Sequence, residues 1–265
     1  RRKNFGNTYQ RLSRKSLATT MVPGNNAFPV HPVEHRSLTP REAARLQTFS
    51  DQHYFSGTRA QQCIQVGNAV PPLLGAKICN HIKSYLQKNK FKSVQKTQRT
   101  DFELKRLLDV DVKSSKTGYT CIDLFSGIGG FSIGFEAAGF EVLAACDNDE
   151  SVKKCHENNH SHIPFAFGDL AEAATRKKIK NIVKSRKVDV IVGGPPCQGF
   201  SIFGKRRFVN TKNYDPNKDI RNSLVKSYLK VVKDIEPEWV IIENVAGIMS
   251  LDNGAYLEFI INGLS

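Results

Sequence analysis

The sequence is poor in several things that would point elsewhere. It has one tryptophan and two methionines in 265 residues, and its six cysteines form no CxxC pair. No apolar run approaches the length needed to cross a bilayer. Without paired thiols at short spacing, a zinc ribbon or dithiol redox centre is excluded. The scattered Cys63, Cys79, Cys121, Cys146, Cys155 and Cys197 fit a reducing, cytoplasmic setting, nucleoid-associated in a bacterium. Acidic residues are also scarce, 25 against 39 basic ones, for a formal charge of +14. That excess favours a polyanionic partner, because Lys and Arg neutralise phosphates and release their counterions. The plainer alternative is a solvated basic surface. The chain opens on Arg1 and stops at Ser265, inside the apolar stretch 256–264, as expected of a piece of a longer chain or of a split enzyme.

Residues 1–35 are basic and loop-like. Thr39-Pro40-Arg41-Glu42 then reads as a capping box with proline at the first helical position, opening a short helix through Gln47. Val70-Pro71-Pro72 breaks the chain before Leu73–Leu86, whose apolar residues recur at helical spacing. Residues 36–87 are thus helical and too few to stand alone, so they are expected to pack on the domain formed by residues 119–265. Residues 88–118, rich in Lys, Gln, Ser and Thr, read as a linker with a short helix around Phe102–Leu108. Over 119–265 apolar runs alternate with amphipathic stretches. Strands are expected at 119–125, 142–146, 165–167, 188–192 and 240–242, with Leu224, Tyr228, Val231, Val232 and Ile235 marking one helix face. This alternation predicts an α/β fold of Rossmann type, mainly a parallel sheet with helices on both faces.

The first strand runs into Asp123-Leu124-Phe125-Ser126-Gly127-Ile128-Gly129-Gly130 and then a helix. Glycines there let the backbone turn tightly and approach a ligand at the carboxyl edge of the sheet. The second strand ends at Asp147, at a spacing where a carboxylate can hold a ribose hydroxyl, and the third at Gly168-Asp169, which would offer a carboxylate to an adenine amino group. Either carboxylate by itself reads as an ordinary strand-end cap; together with the turn they favour a nucleoside cofactor. The turn is not GxGxxG, and Asp123 before it would repel a pyrophosphate. A cofactor with a cationic end fits better, and S-adenosylmethionine carries a sulfonium and an α-amino group. An NAD-dependent oxidoreductase needs the pyrophosphate and leaves the next two strand ends without a role.

Those ends are Gly193-Gly194-Pro195-Pro196-Cys197-Gln198-Gly199-Phe200-Ser201 after the fourth strand and Glu243-Asn244-Val245 after the fifth. Two prolines fix the backbone so that Cys197 projects from a rigid strand exit, where a thiolate is a nucleophile. Glu243, at the neighbouring exit, can hold a substrate ring nitrogen by a hydrogen bond or shared proton. Singly, a buried structural thiol and a solvent-facing strand end are the ordinary readings.

At this point five stretches resemble conserved blocks of the DNA (cytosine-5) methyltransferase family. Residues 123–130, 194–201 and 243–245 look like its first, fourth and sixth blocks; 36–51 (RSLTPREAARLQTFSD) and 65–74 (QVGNAVPPLL) look like its ninth and tenth. The resemblance implies the family's S-adenosylmethionine-dependent methyltransferase fold. It also implies transfer of a methyl group from that cofactor to C5 of cytosine in a specific sequence of double-stranded DNA. Cys197 would attack C6 of a flipped-out base, and Glu243 would contact N3 and the exocyclic amino group. Asp123, Phe125, Ser126, Gly127, Gly129, Gly130, Asp147, Asn148 and Asp169, with Asn68, Ala69 and Val70 of the tenth block, match cofactor positions. Gln198, Ser201 and Lys205-Arg206-Arg207 fall in the stretch matching the closing loop against DNA.

Two departures stand out. The ninth and tenth blocks precede the first, a circularly permuted order that the 88–118 linker would join. The eighth-block Gln-x-Arg-x-Arg pattern and a target-recognition region are not found, so a missing segment or a second polypeptide is expected to supply them, and this chain alone is expected to be inactive or weak. A related tRNA cytosine methyltransferase and a non-catalytic or partner-dependent subunit are the alternatives; a paired restriction enzyme is a family expectation. His156-Glu157-Asn158-Asn159-His160 fits HExxH literally but has no evident third ligand, so no metal is expected. The runs 176–180 and 184–187 read as a solvated basic face.

Overall fold

A computed structural model describes residues 10–24, 27–86, 116–196, 222–245, 248 and 254–264, and the chain divides into two compact units. Residues 88–115 of the expected linker, with its helix at 102–108, lie outside the described residues, as do Cys197, Gln198, Ser201 and Lys205-Arg206-Arg207.

One unit holds the sheet. Its strands are β1 (Thr120–Leu124), β2 (Glu141–Asp147), β3 (Phe165–Phe167), β4 (Val190–Gly193) and β5 (Trp239–Ile242), in the order β3-β2-β1-β4-β5. β1 pairs with β4, β2 with β3 and β4 with β5, all parallel. The order reverses between β1 and β4, the switch point at which open α/β sheets bind ligands beyond their carboxyl ends. β1 and β4 are buried throughout, as a strand covered on both faces must be, so β4 reads as a continuous apolar run and β1 as one interrupted by Thr120 and Asp123. The helices of this unit are α6 (Ala173–Val183), α7 (Asn222–Ile235) and α8 (Ala255–Leu264). Thr175, Ile179 and Val183, four apart on α6, are buried, and Tyr228, Val231 and Val232 of α7 join Ile122, Leu124 and Ile191 in the same core. Of the basic residues of α6, Lys177, Lys178 and Lys180 are exposed, whereas Arg176 is half-buried and donates to the Leu170 and Ala171 carbonyls at 2.7 Å each.

The other unit gathers α1 (Pro40–Leu46), α2 (Arg59–Asn68) and α3 (Pro72–Leu86) with α4 (Gly130–Ala137) and α5 (Glu150–Asn159). α1 has the expected box: Thr39 Oγ1 accepts from the Glu42 amide at 3.2 Å, and the Glu42 carboxylate accepts from the Thr39 amide at 2.8 Å. Arg36 grips Glu42 through two bonds of 2.8 Å, which holds that carboxyl at about 2. The second box, Thr58 with Gln61, opens α2. Gln47 donates to the carbonyls of Val66 and Ala69, 3.2 Å each, where α2 runs out of its own donors. α3 and α4 touch through glycine: a Cβ at Gly134 would stand 2.6 Å from the Ala76 nitrogen, and one at Gly75 3.3 Å from the Gly130 carbonyl oxygen.

A buried polar network ties α2 to α5. Gln65, only 6% exposed, donates to Ser151 Oγ at 2.8 Å and to the Ser56 carbonyl at 3.1 Å. The Cys155 thiol lies 3.5 Å from Gln65 Oε1. Gln65→Leu should therefore lower unfolding free energy by about 1–3 kcal/mol, since buried partners lose their bonds. Urea denaturation with an unchanged m-value is the check; no shift in midpoint would mean the network contributes nothing net.

Candidate active site

The sheet unit brings its strand exits into one row at the carboxyl edge. In spatial order they are Asp169 after β3, Asp147 at the end of β2, Ser126 after β1, Gly194-Pro195-Pro196 after β4, and Glu243 after β5. The row is tied together by backbone bonds: Gly168 N to Asp147 O at 3.1 Å, Ser126 N to Cys146 O at 3.0 Å, and Glu243 N to Gly193 O at 2.9 Å. Residues spread over more than a hundred positions thus share one edge because parallel strands all exit the same way.

On the β3-β2-β1 side, Asp147 and Asp169 are half-buried and Asn148 is exposed. Each aspartate uses one oxygen locally, Asp147 accepting from the Asn148 amide and Asp169 from the Ala171 amide, both at 2.8 Å. Both positions thus act as strand-end caps. Phe125 is held at φ 56°, in the left-handed region that a non-glycine side chain enters only when its surroundings enforce it. It packs on the sheet core, and that conformation turns the chain out of β1. Asp123, 1% exposed, lies within β1 opposite Val192, a step inside the edge. Ser126 Oγ is buried and has no hydrogen-bond partner among the described residues, a hydroxyl in need of a ligand or water.

On the β4-β5 side, Gly193 and Gly194 allow the exits to close up. A Cβ at Gly193 would stand 2.3 Å from the Leu124 carbonyl oxygen, and one at Gly194 2.8 Å from Glu243 Oε2. The Asn244 amide donates to the Pro195 carbonyl at 3.1 Å. Beneath them the Tyr228 hydroxyl lies 3.1 Å from the Ile191 carbonyl and 2.9 Å from that of Ile241, bridging the two strands. Glu243 keeps over a third of its surface open, yet its carboxyl faces protein, and desolvation raises its pKa. Open residue surface and desolvated carboxyl agree once the stem is distinguished from the tip that rests on Gly194. The other five cysteines are buried, and burial pushes the Cys146 thiol up to about 12, leaving it no role as a nucleophile. The predicted nucleophile, Cys197, follows Pro196 directly and lies outside the described residues.

The helical unit carries the rest of the predicted set. Gly127 has φ 52°, and a Cβ there would meet nothing within 4 Å. Gly129 and Gly130 have packing duties: a Cβ at Gly129 would strike the His160 ring, and one at Gly130 would stand 2.0 Å from the Val70 carbonyl oxygen. Asn68 and Ala69 end α2, with Ala69 as its C-cap. The tenth-block backbone thus seats the glycine turn within this unit. His156 and His160 are 6% and 4% exposed and their ring centroids lie 5.7 Å apart, in the core of the unit. Among the described residues no His, Cys, Asp and Glu group could hold a metal ion, and no helix is long and apolar enough to cross a membrane.

Spacing and residue type alone do not mark Tyr228 or Asn244 as site residues. Tyr228 registers in sequence only as one more apolar position on a helix face, whereas Asn244 sits inside a recognised block.

The family model for C-5 cytosine-specific DNA methylase matches residues 2–84 and 119–265. Type II methyltransferase M.AgeI of Thalassovita gelatinovora is 39% identical over 138 residues, 51% of this chain and 30% of the relative. Type II methyltransferase M.HindV of Haemophilus influenzae is 42% identical over 128 residues, 47% of this chain and 37% of the relative. Type II methyltransferase M.HgiGI of Herpetosiphon aurantiacus is 41% identical over 124 residues, 47% of this chain and 88% of the relative. The matched stretch thus spans about a third of the length of the first two.

Proposed function

The chain belongs to the C-5 cytosine-specific DNA methylase family, and from that premise we propose that it carries the catalytic edge of an enzyme that methylates C5 of cytosine in duplex DNA. The observation that carries this reading is the row of exits at the carboxyl edge, with a carboxyl-and-hydroxyl side (Asp169, Asp147, Ser126) next to the Pro196 and Glu243 side.

The residues fit a nucleoside cofactor with a cationic end. Ser126 offers a buried hydroxyl, Gly127 has clear space where a Cβ would stand, and Asp147 and Asp169 lie at the ends of adjacent strands. The family resemblance adds Phe125 and Asn148 of the sheet unit and Gly129, Gly130, Asn68, Ala69 and Val70 of the helical unit to the proposed cofactor residues. S-adenosylmethionine, when bound, supplies the methyl group.

The protein's own groups do the rest. The Cys197 thiolate adds to C6 of a cytosine taken out of the stack. The electron pair displaced from the C5–C6 bond moves toward N3, where Glu243 supplies a proton, and C5 becomes the nucleophile that accepts the methyl group. As C5 takes the methyl group the C4–N3 double bond re-forms and the N3 proton returns to Glu243; loss of the C5 proton to a base then expels the Cys197 thiolate and restores the C5–C6 double bond. Gln198, Ser201 and Lys205-Arg206-Arg207 are assigned by the same family resemblance to contact with DNA. The order of the blocks is read as a circular permutation, supported by α3 lying directly on α4, so that the tenth block needs only chain continuity to reach the first.

The test is transfer of a labelled methyl group from S-adenosylmethionine, with duplex DNA and tRNA as competing acceptors, by the protein that carries this chain. A duplex containing 5-fluorocytosine should become covalently trapped on Cys197. Transfer to tRNA in preference would replace the substrate; no transfer and no adduct would remove the reading.

A further inference from the structure

His53 and His160 have no assigned role. Within the helical unit they sit at the glycine turn, and Asn159, at the end of α5, fixes how His53 meets it. The Tyr54 amide donates to Asn159 Oδ1 at 2.8 Å, and Asn159 Nδ2 donates to the Tyr54 carbonyl at 2.9 Å. This double clamp settles which end of the Asn159 amide is nitrogen. That nitrogen also lies 3.3 Å from His53 Nε2. An amide nitrogen can only donate, so Nε2 accepts, and the ring proton of a neutral His53 is on Nδ1. The backbone group that faces the ring is that of Ile128, and it favours the protonated imidazole, as a carbonyl does. The chain of contacts therefore runs from Asn159 through the imidazole to the middle of residues 127–130, whose next member, Gly129, rests against the His160 ring.

We propose that His53 is a positioning residue for the glycine turn, donating from Nδ1 to the Ile128 carbonyl and so fixing the backbone that would carry the cofactor. Three features support it. His53 is 7% exposed, so a lost bond to Ile128 is not replaced freely by water. The ring is wedged between Phe49 and Phe55, with centroids 4.9 and 5.1 Å away, which leaves it one orientation. Burial, and then the charge of Arg41, hold the imidazole at about 4. The groups facing it are Arg41 from α1, the His160 ring at 5.9 Å and Asn159, and neither Arg41 nor Asn159 brings a negative charge. It stays neutral at physiological pH, and its two nitrogens keep distinct roles.

The inference rests on the cofactor reading of the turn, and binding of S-adenosylhomocysteine, measured by titration calorimetry, separates the two. His53→Phe preserves the ring's bulk and removes the donor; His53→Asn leaves a gap but places an amide nitrogen where Nδ1 stood. Donation predicts that Phe weakens binding about tenfold while Asn stays within about threefold of the parent. A packing role predicts the reverse order, with Phe the milder change in both melting temperature and affinity. Should His53→Phe fail to fold, Asn159→Ala, which releases the Nε2 side, is expected to weaken binding about threefold. Equal affinities for His53→Phe, Asn159→Ala and the parent, or Phe outperforming Asn, overturn the assignment. If the parent protein does not bind the nucleoside at all, the cofactor reading falls first and the assignment with it.

Discussion

Gly130→Ala is expected to destabilise the protein by about 3 kcal/mol or more, at the upper end of what overpacking does. The added Cβ would stand 2.0 Å from the Val70 carbonyl oxygen and 3.0 Å from its carbon, with the Phe49 ring at 3.5 Å behind. Backbone atoms cannot swing aside as a side-chain tip can. Relief would require moving either the Val70-Pro71-Pro72 corner, which two prolines stiffen, or the start of α4. The contrast is Gly127→Ala, three residues earlier. There a Cβ meets nothing within 4 Å and only the φ of 52° resists it, for a penalty of about 1 kcal/mol. Urea midpoints of the two variants should therefore separate widely. Cofactor binding should reverse the sense of the comparison, because folded Gly127→Ala protein puts a methyl group on the exposed face of the turn. If Gly130→Ala were as mild as Gly127→Ala, the seat of the turn on Val70 would be wrong.

That seat also marks where the sequence stops being readable. The strands are legible because each is mostly apolar and the central ones are buried throughout; β3 at Phe165–Phe167 matches its expected span to the residue, and the others shift by one or two positions at their ends. α1 is legible from its capping box. α2 carries the same signal, Thr58-Arg59-Ala60-Gln61, yet is hard to read because its buried face includes Gln65 beside Cys63 and Val66 and so breaks the apolar rhythm. A buried glutamine makes sense only with Ser151 and Ser56 in view. The HExxH stretch reads in sequence as a polar connection, and the place of its histidines in the core depends on His53, more than a hundred residues upstream. Likewise the glycines of the turn look alike in sequence. Only the structure separates Gly127, which faces open space, from Gly129 and Gly130, which are pressed against a ring and a carbonyl. Pairings of this kind link distant positions through shape, and single-chain spacing carries no record of them.

Glu243→Gln should reduce methyl transfer by about 10²–10⁴-fold, the usual range for losing a positioned acid or base, with cofactor affinity unchanged. Gln keeps the size and a hydrogen-bond donor, so what it deletes is the transferable proton. The Glu243 carboxyl is suited to hold that proton because desolvation against Gly194 raises its pKa. The parent enzyme should therefore lose activity as pH rises through the folded pKa of Glu243, and the Gln variant's residual activity should lack that limb. Stability gives an independent reading of the same group. With the folded pKa above the unfolded one, the folded chain binds the extra proton between the two values. Its stability then falls as pH rises through that window and levels off above it, and Glu243→Gln should flatten that slope. A Gln variant with the parent's pH profile would place the proton elsewhere. A variant that lost affinity for S-adenosylhomocysteine along with rate would mean that Glu243 serves the architecture of the edge and not the chemistry performed there.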